Sequence, residues 1–270
     1  MDLHDYKDVA ENYDLYINDV VESGFNNASC IKYHMDLASA YGKQGILDIA
    51  CGTGLVLVPL VKEGYNVIGI DVSKEMLAQT KSKLDNMQIF NNYELICSNM
   101  AQFSINKQVS LAIIPRSGFI HLTNPSEQIE TLTRINNSLV LGGVLSLNTF
   151  YPSYEIVYKL GKGKVTEPFY KTSFVGKDGN KVKIFNYLEY DYESQIIQGK
   201  WIFNEVDSMG NILNSRERPV LIRWTFKSEM DLLFNLCGFE VIEMFGNYDK
   251  VPTNYPGHIV WIVKKVKHLN

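Results

Sequence analysis

The 270-residue sequence has no run of 18 apolar residues, and its opening stretch, MDLHDYKDVAENYDLY, is acidic rather than apolar. A helix crossing a bilayer needs about 20 apolar residues, and a secretory leader needs an apolar core. Neither is expected, and the sequence reads as that of a cytoplasmic protein. Cysteine pairs are also missing: Cys30, Cys51, Cys97 and Cys237 are scattered, with no CxxC. The five histidines show no metal-ligand spacing. We therefore expect reduced, mostly buried thiols and no metal site. An excess of positive charge is lacking too, with 26 Lys and Arg against 30 Asp and Glu, and a net charge of −4. Nucleic-acid binders usually carry a basic surface that displaces counterions from phosphates, so an RNA or DNA substrate is disfavoured, although a local basic patch stays open. There are no repeats, low-complexity segments or long linkers. What is present is an ordinary globular composition, 46% hydrophobic and 21% charged, long enough for one large domain with an insertion.

The first half alternates short apolar runs with helical patterns. ILDIA (46–50), NVIGID (66–71), YELICS (93–98), VSLAIIP (109–115) and GGVLSLNTF (142–150) read as strands. Between them, LVLVPLVKEG closes on Gly64, with Pro59 near its start, where a missing N–H costs least. SKEMLAQTKSKL has Ser73 as a cap, and NPSEQIETLTRINNSLV opens with Asn124 as cap, Pro125 first and Glu127 third, a strong helix start. Such alternation demands crossovers and hence a mostly parallel sheet. From about residue 151 the texture changes to β-rich runs separated by KDGN, ESQ and SMGN turns, as in an antiparallel meander. Helical texture returns in TFKSEMDLLFNLCGF, capped by Gly238, before the strands EVIEMF (240–245) and HIVWIVKKV (258–266). The expected organisation is a core of residues 1–150 and 221–270, with a helical lid over 1–40 and an inserted β segment over 151–220.

The stretch GILDIACGTGLV (45–56) breaks a buried strand into closely spaced glycines. A P-loop needs Lys and then Ser or Thr after its last Gly, whereas Leu55 follows Gly54. The dinucleotide fingerprint needs a third small residue at position 57 so that the helix packs close to the strand, and that position is Leu57. Both phosphate-binding readings fall away.

With those gone, LDIACGTG resembles motif I of the class I S-adenosylmethionine (SAM)-dependent methyltransferases, and VIGIDVSKEML resembles their second motif. The resemblance is specific over residues 1–150, topological over 215–270 and generic in the insertion. It is close to the small-molecule type, such as glycine and sugar-amine N-methyltransferases. It implies a Rossmann-like α/β fold, a seven-stranded mostly parallel sheet with helices on both faces, plus the small antiparallel insertion. It implies SAM as cofactor, S-adenosylhomocysteine as product and no metal. Asp48 then helps bind the methionine ammonium, directly or through water, beside Ala50, while Gly52 and Gly54 let the backbone approach the ligand. Asp71, 23 residues beyond Asp48, accepts from both ribose hydroxyls. Val72 and Met76 lie on an adenine face or simply pack in the core. Asn99 stands where the family often has an acid; its carbonyl can accept from the adenine amino group, and the Met100 N–H can donate to the ring.

The segment IIPRSGFIHL should line the meeting place of methyl donor and acceptor, from Pro115 to His121. His121 is the candidate catalytic group, as base or orienting partner; the bland alternative is a histidine satisfied by backbone. Arg116 holds either an acidic substrate group or a structural carboxylate. In YKDVAENYDLY, Tyr6, Tyr13 and Tyr16 fall on an expected helix. Tyr13 is a cofactor candidate, beside the sulfonium or the carboxylate, Tyr16 a substrate candidate, and ordinary packing the alternative. The insertion is dense in aromatics (Tyr151, Tyr154, Tyr158, Tyr187, Tyr190, Tyr192, Trp201) and reads as acceptor pocket or dimer contact. Tyr151 and Arg223 complete the substrate candidates. The expected activity is methyl transfer to N or O of a small molecule, by a monomer or homodimer; the alternatives are a tRNA or rRNA methyltransferase and a non-catalytic SAM-binding sensor or partner subunit.

Overall fold

The computed structural model describes residues 10, 13–15, 25–176 and 178–269. Five strands, β1 (Ile46–Ile49), β2 (Val67–Asp71), β3 (Tyr93–Cys97), β4 (Val109–Ile114) and β5 (Leu139–Tyr151), are parallel where they pair with one another. The four strands of the insertion follow in the chain: β6 (Phe169–Val175), β7 (Lys181–Asp191), β8 (Ile196–Val206) and β9 (Ile212–Arg223). The chain then returns through β10 (Phe239–Phe245) and β11 (Gly257–Lys265), giving the order β10-β11-β5-β4-β1-β2-β3, with β11 antiparallel to both neighbours. The fold is the seven-stranded, mostly parallel Rossmann-like sheet expected, and β6 to β9 form a separate antiparallel meander.

Helices cover both faces of the large sheet. On one side α1 (Asn27–Tyr41), α2 (Leu57–Lys62) and α3 (Lys74–Asn86) bury Tyr33, Leu37, Leu60 and Leu84 against Ile46, Leu111, Ile113 and Val260. On the other, α4 (Pro125–Ser138) and α6 (Lys227–Leu236) bury Leu132, Ile135, Met230 and Phe234 against Leu47, Ile49, Leu145 and Trp261. A short helix, α5 (Tyr154–Lys159), leads from β5 into the insertion. The region read as a lid over 1–40 thus contains a core helix, α1, among its described residues.

Local chemistry explains the boundaries. Ser73 Oγ accepts from Met76 N at 3.2 Å and Asn124 Oδ1 from Ser126 N at 2.9 Å, capping α3 and α4 as expected of N-caps. The far end of α4 is closed by a buried cation: Lys265 Nζ donates to the carbonyls of Asn136 and Leu139 at 2.7 and 2.8 Å, where the helix dipole favours positive charge. Leu57 does not keep α2 away from the sheet. It occupies the space that the missing side chain of Gly69 leaves on β2, so that a Cβ there would collide with Leu57 Cδ1. The small residue that close packing requires is supplied by the strand instead of the helix.

Candidate active site

Ligands of open α/β sheets bind at the carboxyl ends of the strands, where chain direction reverses. Here that crevice lies between β1 and β4, the two strands whose crossovers run opposite ways from the sheet centre. A cavity of about 500 Å³ opens there. Its wall takes Ala50 and Gly52 from the turn after β1, Asp71, Val72 and Met76 from the end of β2, and Asn99 and Met100 from the loop after β3. Pro115, Arg116 and His121 come from the segment after β4, and Tyr13 from the N-terminal turn.

The glycine turn is built around Asp71. One oxygen of its carboxylate accepts from Gly52 N at 2.8 Å and the other from Ser73 N at 2.9 Å. Gly52 has φ +56°, and a Cβ added there would meet no atom within 4 Å, so the backbone faces open space. Gly54 differs. Its Cβ position lies 2.9 Å from Thr80 and Val58 side-chain atoms, and it is absent from the cavity wall. Its role is to let the turn approach α2 and α3, whereas the sequence reading put it against a ligand. Thr80 Oγ1 also donates to Gly52 O at 2.8 Å. Asp14 fastens the N-terminal turn to this loop: it accepts from Thr53 Oγ1 at 2.6 Å and pairs with Lys83 Nζ at 2.6 Å.

The loop after β4 is strained and well braced. Arg116 and Ser117 have φ +53° and +63°, a left-handed conformation that costs non-glycine residues free energy. Arg116 N donates to Tyr248 Oη at 2.8 Å, and Tyr248 Oη donates to Asn148 Oδ1 at 2.8 Å. Ser117 N donates to the same Oδ1 at 2.8 Å, while Asn148 Nδ2 donates to Ser117 Oγ at 2.6 Å. Tyr248 and Asn148 are buried. The Arg116 guanidinium donates to the Phe25 carbonyl, so part of its capacity is used on backbone. Neither an acidic substrate group nor a structural carboxylate is needed to explain that contact.

Asp48 is fully buried and off the cavity wall, and among the described residues neither of its carboxylate oxygens has a hydrogen-bond partner. Burial, and then the nearby Asp71 charge, hold its carboxyl well above the usual range. A direct contact with a ligand ammonium is not available in this geometry. An orphaned acid beneath the turn still fits a site for a cationic group. The Asn99 side-chain carbonyl, expected to face adenine, accepts from Ala101 N at 2.8 Å and keeps one lone pair.

Two substrate candidates are not brought to the cavity. Tyr151 packs its ring on Phe226 and Tyr255, at centroid distances of 5.0 and 6.3 Å. A hydrogen bond with Tyr154, and then burial, push its hydroxyl up to about 12. Arg223 is 5% exposed, paired with Glu229 at 2.5 Å and bonded to Gln128, Thr225 and Gln195 at 3.0 to 3.1 Å. It fastens β9 to α4 and α6 from inside, because a buried guanidinium must satisfy its donors on protein. Tyr6 and Tyr16 lie outside the described residues.

Sequence reasoning missed Glu127, Arg218 and the β9 segment from Pro219 to Ile222, all on the cavity wall with Trp201. Trp201 and Arg218 are paired across β8 and β9, with the guanidinium carbon 5.6 Å from the ring centroid and Lys171 Nζ 4.2 Å from it. Cross-sheet pairing of this kind depends on a register that no short motif encodes. Glu127 was hidden by its helix-start position, where an acid is expected for capping alone. Among the described residues no group of three or more His, Cys, Asp or Glu can hold a metal, and no helix is long and apolar enough to cross a membrane.

A family model described as a methyltransferase domain matches residues 46–143. A provisionally named methyltransferase of Geobacillus sp. (strain WCH70) is 35% identical over 108 residues, 39% of this chain; the aligned part spans only 43% of that relative. Among solved structures, an S-adenosylmethionine-dependent methyltransferase from Clostridium acetobutylicum superposes with a TM-score of 0.75 at 17% identity, covering 96% of this chain and 98% of its own. The SAM-bound amino pentose methyltransferase CalS10 from Micromonospora echinaspora gives 0.67 at 16% identity, covering 94% and 96%. The methyltransferase-domain model lies on the strands and turns that build the cavity, and the fold agrees with these solved structures over nearly the whole length of the chain.

Proposed function

We propose that the protein transfers a methyl group from SAM to nitrogen or oxygen of a small-molecule acceptor by in-line displacement. The observation that carries this reading is the Asp71 carboxylate at the end of β2, facing the cavity beside the uncovered backbone of Gly52. Bound SAM supplies a methyl group on a cationic sulfur, already an excellent leaving group. Asp71 accepts from the ribose hydroxyls, Val72 and Met76 cover the adenine, and Asn99 and Met100 address its edge. Ala50, Gly52 and Pro115 line the methionine end, with Asp48 buried below the turn. Tyr13 lies beside the sulfonium or carboxylate. What remains for the protein is to align the nucleophile and exclude water. His121 orients the acceptor or takes its proton, and the β9 wall with Trp201 closes the acceptor side. The relative acting on an amino pentose supports an acceptor of that size.

Calorimetric titration with SAM and with S-adenosylhomocysteine tests the reading first: binding of both is expected, and absence of binding rejects it. His121→Ala is then expected to lower turnover at unchanged cofactor affinity. Loss of cofactor binding instead would remove His121 from the acceptor side.

A further inference from the structure

Glu127 is the third residue of α4, where an acid commonly reaches back to the cap residue's N–H. It does not do so here. Asn124 caps the helix through Ser126 N and Oγ, both at 2.9 Å, and among the described residues the Glu127 carboxylate has no hydrogen bond or ion pair. It is half-buried on the cavity wall instead, six residues after His121. The other titratable or charged side chains on that wall are Tyr13, Asp71, Arg116, His121 and Arg218. Asp71 is committed to the glycine turn and Ser73, so among the described residues of the wall Glu127 is the acid not engaged in building it.

We infer that Glu127 binds the acceptor nitrogen, and that the acceptor is an amine and not an alcohol or phenol. This rests on the reading of the cavity as a methyl-transfer site. The physical reason is the direction in which charge moves. An amine enters as R–NH3⁺ and gives up one proton; its nitrogen lone pair then forms the N–C bond while the C–S pair stays on sulfur. The sum is R–NH3⁺ plus a sulfonium giving R–NH2–CH3⁺, a neutral thioether and H⁺. The nitrogen is cationic on entry, and positive charge develops on it again as the N–C bond forms. A fixed carboxylate beside it therefore stabilises the ammonium substrate, the transition state and the product. Oxygen acceptors attack best as alkoxide or phenolate, and the same carboxylate would repel that anion. The proton is left to His121 or to water.

The experiment uses the full-length protein with methyl-labelled SAM and two kinds of acceptor mixture. One is a matched panel: an amino sugar and the sugar with hydroxyl at the same carbon, an arylamine and the corresponding phenol. The other is a fractionated metabolite extract, with the labelled product identified by mass spectrometry. N-methyl products are expected, with Glu127→Gln raising KM for the amine about 10- to 100-fold, the loss of one charge-assisted contact. Glu127→Asp should recover part of the loss, and the SAM affinity of all variants should stay within about twofold of wild type, since the contact is to the acceptor. An O-methyl product, no labelled amine in either mixture, or an unchanged amine KM in Glu127→Gln overturns the inference. Failure of the wild type to bind SAM would reject the methyl-transfer reading itself and is scored separately by calorimetry.

Discussion

The two sheets that meet at the cavity are built differently. Every residue of β1 is buried, and β4 and the centre of β5 are nearly so. Most of β8 is half-exposed, and the first half of β9 is open to solvent. A parallel sheet sandwiched between helices needs apolar side chains on both faces, and its strands are short continuous runs. An antiparallel sheet with one wet face alternates, and its outward positions tolerate almost any residue. The wall of the cavity that carries Gly52 and Asp71 therefore rests on a rigid, closely specified layer, whereas the opposite wall rests on a permissive one. The N-terminal turn joins them: Tyr13 and Leu15 pack with Leu55 of the glycine turn and with Phe174, Ile184 and Trp201 of the insertion.

This contrast can be broken at several points. The largest effect is expected in the core: Leu47→Ala should cost about 2–5 kcal/mol in denaturant unfolding, because Leu47 is fully enclosed. Tyr170→Ala on the inserted sheet, 57% exposed, should stay within about 0.5 kcal/mol. Equal losses at the two sites would remove the distinction.

A pH effect of similar size is expected on the α1 side of the core. Burial pushes the His34 imidazole down to about 4, although its Nδ1–H donates to the Cys30 carbonyl at 2.8 Å. The unfolded chain then binds the proton first as pH falls, so this contribution is whole above about pH 6.5 and is lost progressively toward pH 4. Its ceiling is about 3 kcal/mol. Unfolding series across that range should show the slope in wild type and lose it in His34→Gln; a slope unchanged in the variant would assign it to other groups.

At the cofactor side, Asp71→Ala removes the acceptor expected for ribose and the partner of Gly52 N and Ser73 N. SAM affinity should fall about 100-fold or more by calorimetry, and equal binding would reject the assignment of Asp71. Tyr248→Phe is the gentler perturbation. It removes the hydroxyl shared by Arg116 N and Asn148, loosening the left-handed Arg116–Ser117 turn. We expect turnover to fall about tenfold with SAM affinity little changed, since a small misplacement of reacting groups costs rate before it costs affinity. A drop in affinity equal to the drop in rate would place this loop on the cofactor side.

The glycine-turn half of the cavity was legible because its conformation is decided locally. Gly52 needs a positive φ, Asp71 ends an apolar strand, and Ser73 and Asn124 cap the helices that follow; each is a decision taken within a few residues. Gly54, expected against a ligand, packs against α2 and α3 instead, because a glycine's sequence position does not tell what fills the space beside it. Arg223, expected near the acceptor, is buried and paired off the cavity wall, since a lone arginine after a strand shows its charge but not its burial. Glu127 fitted a local rule so well that its second possibility went unseen.

By itself, the sequence determined the alternation of strands and helices, the turn around Gly52 and the acid at Asp71, since backbone conformation and strand burial are written in short windows. Tertiary structure alone decided which groups share the cavity. The Tyr248–Asn148 brace spans 100 residues, and the Trp201–Arg218 pair exists only once β8 and β9 are in register. Contacts between distant segments depend on how layers pack, and that packing is a property of the whole chain.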